Sequence, residues 1–492
     1  MGTKPAKTPA KREGFSSRRV FLFAAIGSAV GLGNIWRFPA VSYENGGGAF
    51  MIPYIVALLT AGLTFLFFDY AIGHRGRASS PLAFRRLNRK TEFIGWWHMG
   101  ISAVIAIYYA AIIAWAVRYM IFSFNQEWGS DAKSFFMKDF LKVGDPKLSF
   151  DFNPGILIPL VLVWISLIVI MALGVQKGVG AANVVFMPLL IFMFVGLVAY
   201  SLTLPGAMNG LNTLFTPNWG ALTNGEVWVA AYGQIFFSLS LGFGIMVTYA
   251  SYLKPKTDLT GSGTVVGFAN SGFELLAGIG VFAALGFMAQ AQGIAVGEVV
   301  EKGTGLAFIA FPTIINEMPG GAIFGVLFFG SLTIAGFTSL FSLFEVVVSA
   351  VRDKLNLPRK QTAITMGIIM AVLSLALFAN TGGIVNLDIM DKFTNNVGIV
   401  SIALILIVIL DWVLRRIDEF STHLNMVSSF RVGTMWRICV VNITTLVLGF
   451  TLFQELFGLL KEPYGGYTTT QVGIYGWGVL VIILVAAAIH TP

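Results

Sequence analysis

The chain is a succession of apolar runs, each near the length needed to cross a lipid bilayer, and nothing else in it restricts its possible folds so strongly. A helix needs about 20 apolar residues to span the hydrocarbon core, whereas barrel strands read as alternating segments of about ten. Only the helical pattern fits. Roughly twelve spans meet that criterion, at 15–41, 48–73, 93–124, 154–173, 179–202, 227–253, 259–290, 321–351, 361–379, 389–414, 430–458 and 471–489. Charged residues make up 11% of the 492, against about 25% in soluble domains. The single cysteine, Cys439, excludes an internal disulfide or a multi-cysteine zinc site, so the fold must rest on helix packing.

A net charge of +8 could point to nucleic acid, but the basic residues fall in short loops between apolar runs, where they act as topology signals. Lys4, Lys7, Lys11, Arg12, Arg18 and Arg19 lie before or at the start of span one, and Arg75, Arg77, Arg85, Arg86, Arg89 and Lys90 follow span two. Both segments are expected on the cytoplasmic side, and an even span count then puts both termini there, in the plasma (inner) membrane. The first apolar run is too long for a cleavable signal peptide and lacks a small-residue cleavage site. The charge-mixed stretch 125–153 is expected to be an external hydrated loop. Residues 303–319, apolar but broken by Pro312, are expected to form a re-entrant or lid-like segment. The four histidines, His74, His98, His423 and His490, have no metal-ligand spacing and are expected at the interface.

Two spans are interrupted. Span one contains Gly27-Ser28-Ala29-Val30-Gly31-Leu32-Gly33-Asn34 in mid-run. Each glycine weakens a helix by about 1 kcal/mol relative to alanine, so this stretch can unwind; it can equally be a small-residue packing face from Gly27 to Gly31. Span six contains Phe237-Ser238-Leu239-Ser240-Leu241-Gly242-Phe243-Gly244. The two breaks open two successive five-span sets. Paired interruptions in corresponding halves point to a secondary transporter with a midplane site, because unwound backbone is tolerated only beside a polar cavity.

The residues around these breaks resemble the neurotransmitter:sodium symporter family. Gly31-Leu32-Gly33-Asn34-Ile35-Trp36-Arg37-Phe38-Pro39 and Glu44-Asn45-Gly46-Gly47-Gly48-Ala49-Phe50 resemble its opening. Gln234-Ile235-Phe236-Phe237-Ser238-Leu239-Ser240 and Ala335-Gly336-Phe337-Thr338-Ser339 extend the likeness, which is nearest to bacterial amino-acid carriers of the leucine-transporter type. The resemblance implies an all-α fold with a five-plus-five inverted repeat. Its parts would be a cytoplasmic tail at 1–14, repeat one at 15–202, an extracellular connector at 203–226, repeat two at 227–414 and accessory helices eleven and twelve at 415–492.

Sodium favours about five or six hard oxygen ligands. By resemblance, Asn34, Ser238 and Asn270 with the Ala29 carbonyl form one sodium site, completed by the substrate's carboxylate. The carbonyls of Gly27, Val30 and Ala335 with the hydroxyls of Thr338 and Ser339 form a second. Taken singly, a buried Ser or Thr more often bonds its own helix. The substrate carboxylate is expected at the Leu32 and Gly33 amides and the Tyr109 hydroxyl, at the positive end of a half-helix. Its amine would meet the carbonyls of Ala29, Phe237 and Ser240, its side chain Ile105, Phe237, Phe243, Ser339 and Leu343, with Ser238 also against the substrate. Family members for amines lacking a carboxylate carry Asp at the position of Gly31, so the substrate here should bring its own.

Arg37 and Asp391 resemble the family's outer gate, above a lid of Tyr109 and Phe237, and Arg12 and Asp353 its cytoplasmic latch, near Phe15, Ser251 and Tyr252. Asp69 stands where relatives usually place Glu. Chloride-dependent relatives have a small hydroxyl residue where this chain has Glu274, close to Asn270, Ser238, Gln234 and Tyr54. A fixed carboxylate there can balance two sodium ions against one substrate carboxylate, which makes transport chloride-independent. The expected function is sodium-coupled symport of neutral, hydrophobic L-amino acids by alternating access, with no nucleic-acid or obligate protein partner. A sodium-dependent amino-acid sensor of the same fold is the alternative. The large central residues Phe237, Phe243 and Tyr109 oppose a channel, and no HExxH, GxSxG or Walker pattern supports an enzyme.

Overall fold

A computed structural model describes residues 13–301 and 303–491. Among these, ten helices are long and apolar enough to cross a membrane, and the bent pair Arg18–Ala29 and Leu32–Glu44 makes an eleventh. The remaining expected span is Gly225–Ser238 followed by Ile245–Ala250. Neither piece crosses alone: the longer has 14 residues, or about 21 Å, against a hydrocarbon core of about 30 Å. The chain is thus a multi-pass, all-helical membrane protein in which the two spans read as interrupted are the two that break.

Burial sorts the helices into an inner and an outer set. In the most apolar stretch of span eight (Gly321–Leu355) 83% of residues are buried, and 78% in span seven (Leu259–Gln292) and 72% in span three (Arg89–Phe122). Span eleven (Thr434–Gly466) has 11% and span twelve (Thr469–His490) 28%, so their side chains mostly face lipid. Helix ends follow local chemistry. The Ser17 hydroxyl accepts from Val20 N–H at the start of span one. Asp258 accepts from Gly261 N–H at 2.9 Å at the start of span seven, and left-handed Asn356 closes span eight.

Both chain ends lie on one face: Lys354 Nζ donates to the His490 carbonyl at 2.7 Å, and Arg352 pairs with Glu13 at 3.5 Å. On the opposite face, the stretch expected as a hydrated loop places Phe136 and Phe140 in the core. Phe136 stacks on Phe308 of the 303–319 segment at 5.4 Å, which is helical from Gly303 to Glu317. Lysine and aspartate counts concealed these rings. His98 departs from the interfacial expectation, being fully buried. Its Nδ1 lies 2.9 Å from the Ser80 hydroxyl, and it fits because a Cβ on Gly244 would stand 2.7 Å from its own.

The helix Ile417–Val427 docks on the end of span two through paired histidines. His74 Nε2 is 2.9 Å from the Lys254 carbonyl, which can only accept, so neutral His74 carries its proton there. Its Nδ1 then accepts from His423 Nε2–H at 2.9 Å. Arg75 pairs with Glu419 beside them, and the Arg77 guanidinium bonds the Leu253 carbonyl. Burial, with His74 and Arg75 adding to it, pushes His423 from 6.5 down to about 4. Between those values the undocked helix binds a proton that the docked one refuses, so docking is secure above pH 6.5 and weakens as pH falls toward 4. Hydrogen exchange of 417–427, corrected for intrinsic rates, is expected to speed up from pH 7 to pH 5 in the wild type and to lose that dependence in His423→Gln. A wild-type rate that does not change with pH, or a His423→Gln rate that still rises as pH falls, would contradict this.

Candidate functional site

Span one breaks where a β-branched residue meets glycine. The first helix ends at Val30 (φ −76°, ψ 92°) and Gly31 is extended (φ −121°, ψ −167°), and the second helix leaves at 52° to the first. The new helix is capped from within, since Asn34 Oδ1 accepts from Gly31 N–H at 2.9 Å. Leu32 N–H donates to the Tyr109 hydroxyl at 3.0 Å. The two readings of the glycine run divide between its members. A Cβ on Gly27 would meet Asn183 Oδ1 at 2.5 Å, Met187 Sδ at 3.0 Å and Thr338 Cβ at 3.1 Å, so Gly27 serves close packing. Gly31 lies beyond the break and faces Ser339 and Tyr109 side-chain oxygens.

Span six unwinds through three residues in the left-handed region, Ser240 (φ 54°), Gly242 (φ 77°) and Gly244 (φ 74°). Glycine takes this conformation freely, while serine there costs on the order of 1–3 kcal/mol unless its surroundings hold it. Ser240 is held: its hydroxyl donates to the Ser28 carbonyl at 3.3 Å, tying one break to the other. The Ser102 hydroxyl donates to the Phe243 carbonyl at 2.8 Å. Asp69 is fully buried near the Gly242 backbone. Freed backbone groups thus find side-chain partners, as an apolar surround requires.

A cavity of about 470 Å³ lies between the breaks. All eleven residues expected to touch substrate line it: Ala29, Leu32, Gly33, Ile105, Tyr109, Phe237, Ser238, Ser240, Phe243, Ser339 and Leu343. It runs from buried Ser342 to exposed Glu44, so it is reached from the face opposite the chain ends.

The side chains expected at the first ion site form one chain of hydrogen bonds. Asn34 Nδ2 donates to Asn270 Oδ1 at 2.8 Å, and Asn270 Nδ2 donates to the Ser238 hydroxyl. Beside them Gln234 Nε2 donates to Glu274 Oε1 at 2.6 Å, and the Tyr54 hydroxyl donates to the other carboxylate oxygen. At the second expected site the Ser339 hydroxyl lies 3.4 Å from the Gly27 carbonyl, and Thr338 Oγ1 donates to the Ala335 carbonyl at 2.9 Å. Both sets are hard oxygens, the donor type a small monovalent cation takes.

Arg37 and Asp391 line the same cavity without joining in an ion pair. The Arg37 guanidinium lies over the Phe237 ring at 4.4 Å, and Asp391 accepts from the Tyr108 hydroxyl and from Asn395 Nδ2, each at 2.7 Å. Tyr108 was not foreseen as a partner of Asp391. On the other face Asp353 accepts from Ser79 N–H at 2.8 Å and Phe15 packs on Tyr249 and Tyr252; Arg12, the expected partner of Asp353, lies outside the described residues. Sequence reading also missed Glu345, fully buried, which pairs with Arg359 and accepts from Tyr252 at 2.5 Å. An acid in the middle of span eight was the available signal, because an intramembrane charge demands a partner.

The chain matches the profile of the Sodium:neurotransmitter symporter family over residues 12–131 and 127–491. It is 38% identical to an uncharacterized sodium-dependent transporter of Methanocaldococcus jannaschii over 97% of each chain. It is 28% identical to the sodium-dependent serotonin transporter of Drosophila melanogaster over 95% of this chain and 80% of that one. Its fold superposes on the crystal structure of MhsT in complex with L-phenylalanine with a TM-score of 0.76 and 31% identity, covering 90% of this chain and 100% of the other.

The division of roles between the two glycines is testable. Gly27→Ala forces a methyl into a three-sided contact and is expected to cost about 1–3 kcal/mol of stability, lowering the melting temperature in detergent. Gly31→Ala puts its methyl against the movable ends of Ser339 and Tyr109 and should melt close to the wild type. Equal losses in the two variants would contradict the division.

Proposed function

The chain belongs to the Sodium:neurotransmitter symporter family, and from that premise we propose that it carries neutral, hydrophobic L-amino acids together with sodium, by alternating access and without chloride. The observation that carries this reading is the cavity between two facing helix breaks, with the Asn34, Asn270 and Ser238 cluster at its edge and the buried Glu274 carboxylate next to that cluster. The substrate carboxylate is assigned to the Leu32 and Gly33 amides. Tyr109, which already accepts from Leu32 N–H, keeps its own proton to donate to that anion. Gly31, where an acidic side chain would repel a carboxylate, supports an amino acid over a simple amine, and the bound L-phenylalanine of MhsT supports the class.

Two sodium ions are assigned, one to Ala29, Asn34, Ser238 and Asn270 with the substrate carboxylate, the other to Gly27, Val30, Ala335, Thr338 and Ser339. Two ions moving with a zwitterion carry about two charges, so a potential of about 100 mV supplies about 4.6 kcal/mol, or about 2,000-fold accumulation. The excess of basic residues near the face with the chain ends supports a cytoplasmic position for it, in the plasma membrane. Arg37 and Asp391 are then the outer gate, apart in this conformation, and the Asp353 and Phe15 region the closed inner side. The repeats are assigned to 15–202 and 227–414, joined by 203–226, with the tail at 1–14 and the accessory helices at 415–492.

Glu274 tests the finer reading. Its neighbours Tyr54, Gln234 and Ser238 are the donors an anion would need, and a fixed carboxylate among them balances the sodium charge. Replacing chloride with gluconate is expected to leave uptake into proteoliposomes intact in the wild type. Glu274→Ser is expected to make uptake depend on chloride. A serine variant that transports equally with and without chloride, or a wild type that fails in gluconate, would contradict the assignment.

A further inference from the structure

Spans eleven and twelve face lipid for most of their length, yet at one level they grip span ten with polar and aromatic groups. In span ten (Gly383–Val413), Asp388, Lys392 and Asn396 recur at helical spacing next to the strip that carries Asp391 and Asn395. Lys392 Nζ pairs with Glu455 of span eleven at 2.7 Å, and Asn396 Nδ2 donates to the same carboxylate at 3.1 Å. From the turn between spans eleven and twelve, the Tyr464 and Tyr467 hydroxyls donate to the two oxygens of Asp388 at 3.2 and 2.9 Å. Lys392 lies over the Tyr464 ring at 5.4 Å. Span twelve completes the grip: Trp477 packs edge-on against Phe393 at 5.0 Å, and a Cβ on Gly476 would stand 2.6 Å from the Phe393 ring.

Three separate stretches therefore hold the turn of span ten whose neighbouring strip presents Asp391 to Tyr108 instead of Arg37. Asp388, Lys392, Asn396, Tyr464 and Tyr467 also line the outer part of the cavity, so the grip sits at its mouth beside Asp391. The Lys392 and Glu455 side chains are only 24% and 17% exposed, so their pair is more strongly felt than a surface pair. Every one of these contacts coexists with the separated arrangement of Arg37 and Asp391.

We propose that Glu455, Tyr464 and Tyr467 are positioning residues of the outer gate, through which spans eleven and twelve hold span ten in its open position. The inference rests on the outer-gate reading of Arg37 and Asp391 and gives the two accessory helices a part in the transport cycle. Releasing the grip lets span ten turn Asp391 toward Arg37, so the closed population rises before any substrate binds.

The test measures access to a thiol below the gate. Ile105→Cys, one turn deeper on span three than Tyr108, is placed in a Cys439→Ala chain and treated with a small water-soluble thiosulfonate in sodium without amino acid. Glu455→Gln, and separately Tyr464→Phe with Tyr467→Phe, should slow modification by about threefold or more, the shift expected if an open state in the majority becomes the minority. The conservative Glu455→Asp, which keeps a carboxylate for Lys392 and Asn396, should stay near the parent rate, which a merely misfolded region would not allow. Parent rates in Glu455→Gln or in the double tyrosine variant, faster rates, or a Glu455→Asp chain as slow as Glu455→Gln would overturn the proposal. The assay needs no transported substrate. Sodium-dependent amino-acid binding by the wild-type chain, measured alongside, reports separately on the functional reading.

Discussion

Everything in this fold depends on what happens to backbone amides and carbonyls where two helices come apart inside an apolar medium. An unpaired group there costs several kcal/mol, so the breaks in spans one and six can exist only face to face, beside polar side chains and a cavity. The structure meets that demand locally. Asn34 caps Gly31, Tyr109 accepts from Leu32, Ser240 bonds the Ser28 carbonyl, and Ser102 bonds Phe243. These partners come from span three and from the two broken spans themselves, and spans eleven and twelve stand outside them. The same exposed backbone that makes the breaks costly gives the proposed site its affinity for a carboxylate and a cation.

Charge is placed with equal economy among the described residues. Four of the buried acids occur in partnered groups: Glu345 with Arg359 and Tyr252, Glu92 with Lys354 and Trp96, Glu274 with Gln234 and Tyr54, Asp391 with Tyr108 and Asn395. The first two tie helices together near the face with the chain ends. The Asp391 group lines the cavity and the Glu274 group lies behind its Asn34 and Ser238 edge, where their surroundings can change as cargo enters and leaves. In the proposed function Glu274 balances the ions and Asp391 exchanges Tyr108 for Arg37 as the gate closes.

Much of this was legible in the residues. Apolar run length set the spans to within about eight positions at worst, and glycine density with serine marked both breaks, because these are properties of a segment and not of its neighbours. Family resemblance carried the cavity residues, and all of the expected substrate contacts line one space. Contacts between helices were harder to read. Tyr108 and Tyr109 are adjacent in sequence but point about 100° apart on a helix, so one meets Asp391 and the other Leu32. The burial of His98 depends on Gly244 in another span, and the aromatic packing of Phe136 on Phe308 hides behind the charged residues around it. The grip of Glu455, Tyr464 and Tyr467 on span ten lies in helices that carry no motif.

The central claim is that the break in span one receives a carboxylate and a sodium ion together, each serving as the other's counter-charge. Equilibrium binding of leucine and leucinamide, each in sodium and in an equal concentration of a large organic cation, tests it directly. The account predicts saturable leucine binding in sodium only, and leucinamide weaker by at least about tenfold, from losing charge-assisted hydrogen bonds of about 1.5–3 kcal/mol. Equal affinity for the two ligands, or leucine binding indifferent to sodium, would contradict it.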